Sequence, residues 1–284
     1  MTSWREIKFN SGEVFHSEQM VFVHLAPSAP MNTMDRSFPM CPSGFSSQHR
    51  GSSSAPESAA RALILIPAYN AGPELDALLS ELTRYHPKSH ILVIDDGSAT
   101  TSYETLKASG FTVLRFPHGG KGSALKHGFQ EAISRGYDWV ITMDADGQHA
   151  PEDLPCFLDF IQQSSAPDII LGNRLGDVRT MPFLRKLTNF VCTTIIRWAT
   201  RQPVIDSQSG YRAIRTAVLQ EVRLKTAGFE TEIELLLKAA RQGFRIGSVP
   251  VRTIYVDVPS HIKRARDTYG FIRIVARHLL HLDD

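Results

Sequence analysis

Between Ala62 and Leu171, five short apolar runs alternate with segments whose apolar residues fall at helical spacing. Ala62-Leu-Ile-Leu-Ile66, stopped by Pro67, is apolar at every position, as expected of a strand buried on both faces. Ile91-Leu-Val-Ile94, Thr112-Val-Leu114, Trp139-Val-Ile-Thr-Met143 and Asp168-Ile-Ile-Leu171 repeat that texture. Between them, Pro73 to Tyr85 places Leu75, Leu78, Leu79 and Leu82 on one helical face. Thr101 to Ala108, Gly122 to Arg135 and Pro151 to Gln163 read as further helices, the last with proline in its first turn. Such alternation implies an α/β fold, a mainly parallel sheet flanked by helices. Ligands of these sheets bind beyond the carboxyl ends of the strands. Three expected strand ends carry Tyr69-Asn70, Asp95-Asp96 and Asp144-Ala-Asp146, which gathers polar groups on one rim.

The alternation begins near residue 60. From Ser28 to Ala60 the chain is rich in Ser, Pro and Gly, and buries too little apolar surface to offset its ordering entropy. Residues 1–60 are expected to be a disordered leader, in which Gln19 to Leu25 can form one short strand, or to precede a later true start. Residues 61–258 are expected to form one domain, and residues 259–284 a basic amphipathic helix. Beyond Gly172 the texture changes: a helix from Phe183 to Thr200 with basic ends, then Asp206-Ser-Gln-Ser-Gly-Tyr-Arg212. A helix from Glu230 to Gln242, strands near Arg245–Val249 and Val251–Tyr255, and the helix from Arg266 to Leu280 follow.

Composition removes several classes. With 31 Lys+Arg against 29 Asp+Glu, no bulk electrostatic grip on nucleic acid is indicated. Cys41, Cys156 and Cys192 are an odd, scattered set, giving neither a disulfide framework nor a zinc spacing, which favours a reducing compartment. No apolar run approaches the about 18 residues that span a bilayer. Met1 to Met20 lacks the sustained apolar core of a signal peptide.

Three constellations can carry chemistry. Asp144-Ala-Asp146-Gly-Gln148 sets two carboxylates two residues apart just past a buried strand, where both can turn toward one point. A hard divalent cation takes one or two carboxylates plus substrate phosphates. Without it, a diphosphate oxygen ~4 Å from a carboxylate is repelled by about 4 kcal/mol per charge pair at intermediate effective dielectric. The alternative is a solvated Asp-Gly turn. Asp95-Asp96-Gly-Ser98 can accept from ribose hydroxyls or a base N–H, or can be solvated acids beside a capping serine. His118-Gly-Gly-Lys121-Gly precedes a helix, so its N–H groups can approach phosphate with Lys121 adding charge, or it is an ordinary turn. It fits neither a Walker A loop nor G-x-G-x-x-G.

Taken together, these segments resemble the family 2 glycosyltransferases of GT-A fold, nearest to the dolichyl- and polyprenyl-phosphate sugar synthases. The matching residues are Ile66-Pro-Ala-Tyr-Asn70, Val93-Ile-Asp-Asp-Gly-Ser98, Gly120-Lys-Gly-Ser-Ala124, Met143-Asp-Ala-Asp-Gly-Gln148, Asp206-Ser-Gln-Ser-Gly-Tyr-Arg212 and Gly228-Phe-Glu-Thr-Glu-Ile-Glu-Leu235. The resemblance implies that Pro67, Tyr69, Asn70, Asp95, Asp96, Lys121, Asp144 and Ala145 bind the nucleotide-sugar. It implies Asp144, Asp146 and Gln148 as ligands of Mg²⁺ or Mn²⁺, and Arg174, Arg185 and Asn189 as holders of an acceptor phosphate. The branch commonly has Ser where Asn189 stands, and its Ser-Lys segment near the end is replaced here by Ser260-His-Ile-Lys-Arg264.

The expected function is transfer of a hexose from a UDP- or GDP-sugar to a polyprenyl or dolichyl phosphate, with inversion. That nucleophile is already an anion, so Arg174 and Arg185 would position it and no base is needed. A hydroxyl acceptor, on a lipid or saccharide, would need a carboxylate, and Asp206 is the candidate; its bland alternative is a structural pair with Arg212. A third reading is a catalytically silent nucleotide-sugar-binding module. In the last helix Phe271, Ile274, Val275 and Leu279 share a face that can lie on lipid or pack on the domain. The Phe183–Thr200 helix allows the same choice. Transmembrane helices common in the branch are lacking, so the acceptor would be met peripherally on the cytoplasmic face, or with a membrane protein partner. Glu230, Glu232 and Glu234 read as acids favouring a helix start, and His149 as a surface or supporting residue.

Overall fold

The computed structural model describes residues 60–99, 103–174, 183–252, 254, 264–280 and 282. The expected leader and the Ser260-His-Ile-Lys segment lie outside them. Seven strands form one sheet: β1 (Ala62–Ala68), β2 (Ile91–Asp95), β3 (Thr112–Arg115), β4 (Trp139–Thr142), β5 (Ile169–Asn173), β6 (Arg212–Arg215) and β7 (Ile246–Pro250). Their order is β3-β2-β1-β4-β6-β5-β7. All neighbours pair parallel except β6, which runs antiparallel to β4 and β5.

The continuous apolar runs are explained by two cores, one on each face. Along β1, Ala62, Ile64, Ile66 and Ala68 enter one core with Leu75, Leu78, Leu79 and Leu82 of α1 (Pro73–Leu82). Leu63 and Leu65 enter the other, with Leu125 and Phe129 of α3 (Lys121–Ser134) and Leu236 of α7 (Thr231–Arg241). Side chains alternate faces with period two, so a strand covered on both sides has no polar position to spare.

Pro67 does not stop β1, contrary to expectation. The strand continues to Ala68, with Pro67 paired to Ile94 of β2. On the other side the pairing with β4 ends at Leu65, so the missing N–H costs no bond there. Pro151 to Gln163 is a short 3-10 turn (Pro151–Asp153) followed by α4 (Leu154–Ile161). The second strand expected over Val251–Tyr255 is absent among its described residues: Val251 donates one bond to Asn173 O, and Ile254 turns to Gln148 O. β6 and the following α6 (Thr216–Glu221) were not expected. Of the described cysteines, Cys192 is free.

The remaining helices are α2 (Tyr103–Ala108), α5 (Phe183–Thr200) and α8 (Arg264–Leu279). Antiparallel β6 sends its amino end to the rim where β1, β2, β4 and β5 end. The rim therefore collects Tyr69-Asn70, Asp95-Asp96, Asp144 to Asp146, Asn173-Arg174 and Asp206 to Gly210. The sheet turns its winding between β1 and β4, where such folds open a crevice.

Candidate active site

Asp144 lies just past β4, and its carboxylate is 27% exposed. Lys121, the first residue of α3, places Nζ 2.7 Å from Asp144 Oδ1 and 2.8 Å from Glu232 Oε2 on α7. His149 Nε2 is 3.4 Å from Asp144 Oδ2. Burial pushes the Asp144 carboxyl up, but the Lys121 charge and His149 outweigh it and hold the acid far below the usual carboxylate range. Burial likewise lowers the Lys121 ammonium, and Asp144 and Glu232 reverse this, leaving it raised. Gly210, leading into β6, lies against this carboxylate: a Cβ there would overlap Asp144 Oδ2. Asp146 Oδ1 accepts from Gln148 N at 3.0 Å across a turn that Gly147 closes at φ +70. Half-buried Ala145 packs on the first core.

The glycine turn does not keep its N–H groups for phosphate. Gly119 N donates to Asp96 Oδ1 at 2.8 Å and Gly120 N to Asp96 Oδ2 at 2.9 Å, and His118 Nδ1 is 2.8 Å from Asp96 Oδ2. The ordinary-turn alternative describes these two glycines, and Asp96 serves the turn. Asp95 Oδ1 accepts from Ser98 N at 3.0 Å, and Arg115 Nε lies 3.4 Å from Asp95 Oδ2, an oxygen buried without a hydrogen bond. Tyr69 is exposed beyond β1 with its ring stacked 4.1 Å from that of His118. Asn70, at φ +48, donates its N–H to Ser98 Oγ and accepts from Ala99 N, bracing the β2 loop. Pro67 is half-buried within β1.

Around β5 and β6 a second cluster forms. Asp206 is fully buried, and five donors converge on it. They are Arg174 N, Nε and Nη2 at 3.3, 2.8 and 3.1 Å, Asn189 Nδ2 at 3.2 Å and Gln208 N at 3.1 Å. Burial raises the Asp206 carboxyl, and the Arg174 and Asn189 hydrogen bonds with the Arg174 charge more than offset it, leaving it lowered. A buried, depressed, fully engaged carboxylate is a poor proton acceptor. Asp206 is paired to Arg174, not to Arg212 as the alternative had it. Arg212 instead donates to the carbonyls of Ser209, Glu232 and Ser207. Arg185 lies in the first turn of α5.

Two acids and a histidine, Glu232, Glu234 and His118, have contacts that the sequence did not show. Glu232 is a partner of Lys121 and lies 3.5 Å from Arg212 Nε, more than a helix-start acid. Glu234 accepts from Lys225 N, Thr226 N and Oγ1, and Lys238 Nζ, fastening α7 to the loop before it. Of the two places expected for His149, surface or supporting, it takes the second: it is buried beside Asp144 with its ring edge against Tyr211. His118 stacks on Tyr69. Glu232 is recognisable only through Lys121, 111 positions upstream by residue number.

The arrangement couples an acidic, partly open corner at β4 to an arginine–carboxylate fork at β5. The family model for glycosyl transferase family 2 matches residues 63–223. The chain belongs to this family. It is 33% identical over 204 residues to the polyprenol monophosphomannose synthase of Mycolicibacterium smegmatis, covering 67% of this chain and 76% of that one. It is 32% identical over 203 residues to the undecaprenyl-phosphate mannosyltransferase of Micrococcus luteus, covering 67% and 82%. Among solved structures, glucosyl-3-phosphoglycerate synthase from Mycobacterium tuberculosis, with Mn²⁺, UDP-glucose and phosphoglyceric acid, superposes with TM-score 0.60 at 18% identity, over 78% and 79% of the chains. That likeness concerns the fold, which is GT-A-like. The protein is a glycosyltransferase.

Asp144, Asp146 and Gln148 offer two carboxylates and an amide. Among the described residues no group of three or more His, Cys, Asp or Glu side chains could hold a metal ion. By its chemistry, hard oxygen donors, this set suits a Mg²⁺ or Mn²⁺ that would complete its shell with water and substrate phosphate.

Proposed function

We propose that this glycosyltransferase moves a hexose from a UDP- or GDP-sugar to a polyprenyl phosphate, with inversion, at the cytoplasmic face of a membrane. The observation that carries the reading is the state of Asp206. The carboxylate best placed by sequence to serve as a base is buried, depressed and saturated with donors, and an acceptor that arrives as an anion needs no base. Both relatives named above act, by their names, on a polyprenyl or undecaprenyl phosphate.

In this reading the nucleotide lies along the rim from Tyr69 and Asp95 to Asp144. Asp144, Asp146 and Gln148 would hold Mg²⁺ or Mn²⁺, which supplies charge to the leaving diphosphate. Arg174, held rigid by Asp206, with Asn189 and Arg185, would orient the acceptor phosphate. Its oxygen forms the bond to the anomeric carbon as the bond to the diphosphate breaks on the opposite side. The diphosphate keeps the electron pair and no proton moves.

The surface of α5 supports a lipid acceptor met from the side. Asn189, Thr193, Ile196 and Thr200 form its buried stripe, while Phe190 is 70% and Trp198 68% exposed, beside Leu187 and Val191. Among the described residues no helix is long and apolar enough to cross a membrane. On α8 three of the four expected apolar residues pack on the domain, Ile274 and Val275 buried and Phe271 against the second core, while Leu279 is 42% exposed. Exposed aromatic and aliphatic residues next to the acceptor fork suit peripheral contact with lipid, or with a membrane protein partner.

The test is transfer of label from UDP- and GDP-hexoses to vesicles carrying polyprenyl phosphate or the matching polyprenol. Product from the phosphate alone supports the reading. Product from the alcohol at comparable rate overturns it.

A further inference from the structure

Lys121 stands where a cation is wanted. Its ammonium is shared by two carboxylates, Asp144 Oδ1 at 2.7 Å and Glu232 Oε2 at 2.8 Å, and its side chain is 15% exposed. The backbone beneath it is fixed. Asp96 holds the preceding two N–H groups, and Ser123 N donates to Ala227 O. A Cβ on Gly122 would collide with Thr231 Oγ1 and the Ala227 backbone, so α3 starts tight against the segment leading into α7. Only the flexible stem of Lys121 can move. Glu232 is fixed in turn by α7 and by Arg212. The Lys121 ammonium also lies 5.6 Å from the Phe229 ring centre.

We propose that Lys121 is an exchangeable counter-ion of Asp144, and that Glu232 is the positioning residue that receives it when a divalent cation takes the Asp144 carboxylate. This rests on the assignment of Asp144 as a metal ligand. Two cations cannot share one short carboxylate without repelling each other. A lysine with no second partner would have to leave the site altogether. Glu232 gives it one within the site, so the ammonium stays beside the cation and is available to a diphosphate. The site is thereby neutralised before a donor arrives, and full cation affinity develops only with a donor whose phosphates engage the released ammonium.

The experiment is Mn²⁺ titration by calorimetry on wild type, Lys121→Met, Lys121→Gln, Glu232→Gln and Asp144→Asn, without nucleotide and then with UDP or GDP, each variant's melting temperature measured alongside. Both Lys121 variants are expected to bind Mn²⁺ alone about tenfold more tightly than wild type, and to lose most of the gain that nucleotide gives wild type. Glu232→Gln, leaving Lys121 on Asp144 alone, is expected to weaken Mn²⁺ binding several-fold, and to matter less in the Lys121→Met background. Equal or weaker Mn²⁺ binding by both Lys121 variants, while Asp144→Asn abolishes it, overturns the exchange and leaves the metal site standing. Mn²⁺ binding unchanged by Asp144→Asn overturns the metal assignment, and the exchange with it.

Discussion

Arg174 and Asp206 meet through two parallel hydrogen bonds, Nε to Oδ2 at 2.8 Å and Nη2 to Oδ1 at 3.1 Å, joining the end of β5 to the segment that enters β6. The carboxylate is completely buried, so its removal strands a largely buried guanidinium. Asp206→Ala is expected to destabilise the fold by about 3 kcal/mol or more, as for breaking a buried ion pair from one side. Urea unfolding measures this. A loss under 1 kcal/mol would mean that the fork contributes little to holding Arg174.

The same carboxylate sets an acid limit. Asp206, Asp144 and Glu234 all have pKa values lowered in the folded state. A carboxyl depressed by folding adds stability that is present above its unfolded value and is lost as pH falls through its folded one. Unfolded values lie near 3.9 for Asp and 4.3 for Glu. Stability is therefore expected to be flat in these groups above about pH 5 and to fall steadily below about pH 4. Denaturant midpoints across that range provide the check, and a stability that rises on acidification would contradict the pairing described.

Gly210 has no room for a side chain because the Asp144 carboxylate lies against it. Gly210→Ala should push that carboxylate off Lys121 and away from any cation. A misplacement of about 1 Å in a positioning group can cost about 100-fold in rate. We expect a loss of this order in kcat/KM for the nucleotide-sugar, larger than any change in melting temperature would suggest. Wild-type kinetics in this variant would remove Asp144 from the donor site.

Phe190 and Trp198 lie on the outer face of α5 with most of their surface in solvent. Changing both to Glu should leave stability within about 0.5 kcal/mol, as for exposed sites. Vesicle binding should fall by ten-fold or more, since inserting one such side chain is worth about 1.5–3 kcal/mol. Co-sedimentation with polyprenyl-phosphate vesicles tests this; unchanged binding would place the lipid contact elsewhere.

The sheet was legible because β1, β2, β4 and β5 are buried on both faces and so read as apolar runs, with polar residues only at the carboxyl ends of β2, β4 and β5 (Asp95, Thr142, Asn173). β6 was not: Arg212-Ala-Ile-Arg215 is four residues long and begins and ends with arginine. Its first arginine can be buried because the carbonyls of Ser207, Ser209 and Glu232 accept hydrogen bonds from its guanidinium. At the rim, spacing predicted which strand ends would be polar but not which groups would pair. The N–H groups of Gly119 and Gly120 suit a phosphate or a carboxylate equally, and here Asp96, just past β2, accepts from both. Asp206 had two arginines within plausible reach, Arg174 and Arg212, and the crossing of β5 beside β6 selected the first. Lys121 looked like a ligand for phosphate because neither Glu232 nor Asp144 is near it in sequence.

The central claim is that a divalent cation joins Asp144 to the diphosphate of a sugar nucleotide. Thermal unfolding with UDP, GDP and their hexose conjugates, with and without Mn²⁺, tests it most directly in wild type and Asp144→Asn. At a concentration 100 times Kd, the cognate nucleotide should stabilise the wild type by about 2.7 kcal/mol, only when Mn²⁺ is present, and should do nothing comparable for Asp144→Asn. A nucleotide shift of the same size without metal, or one that survives in Asp144→Asn, would contradict the account.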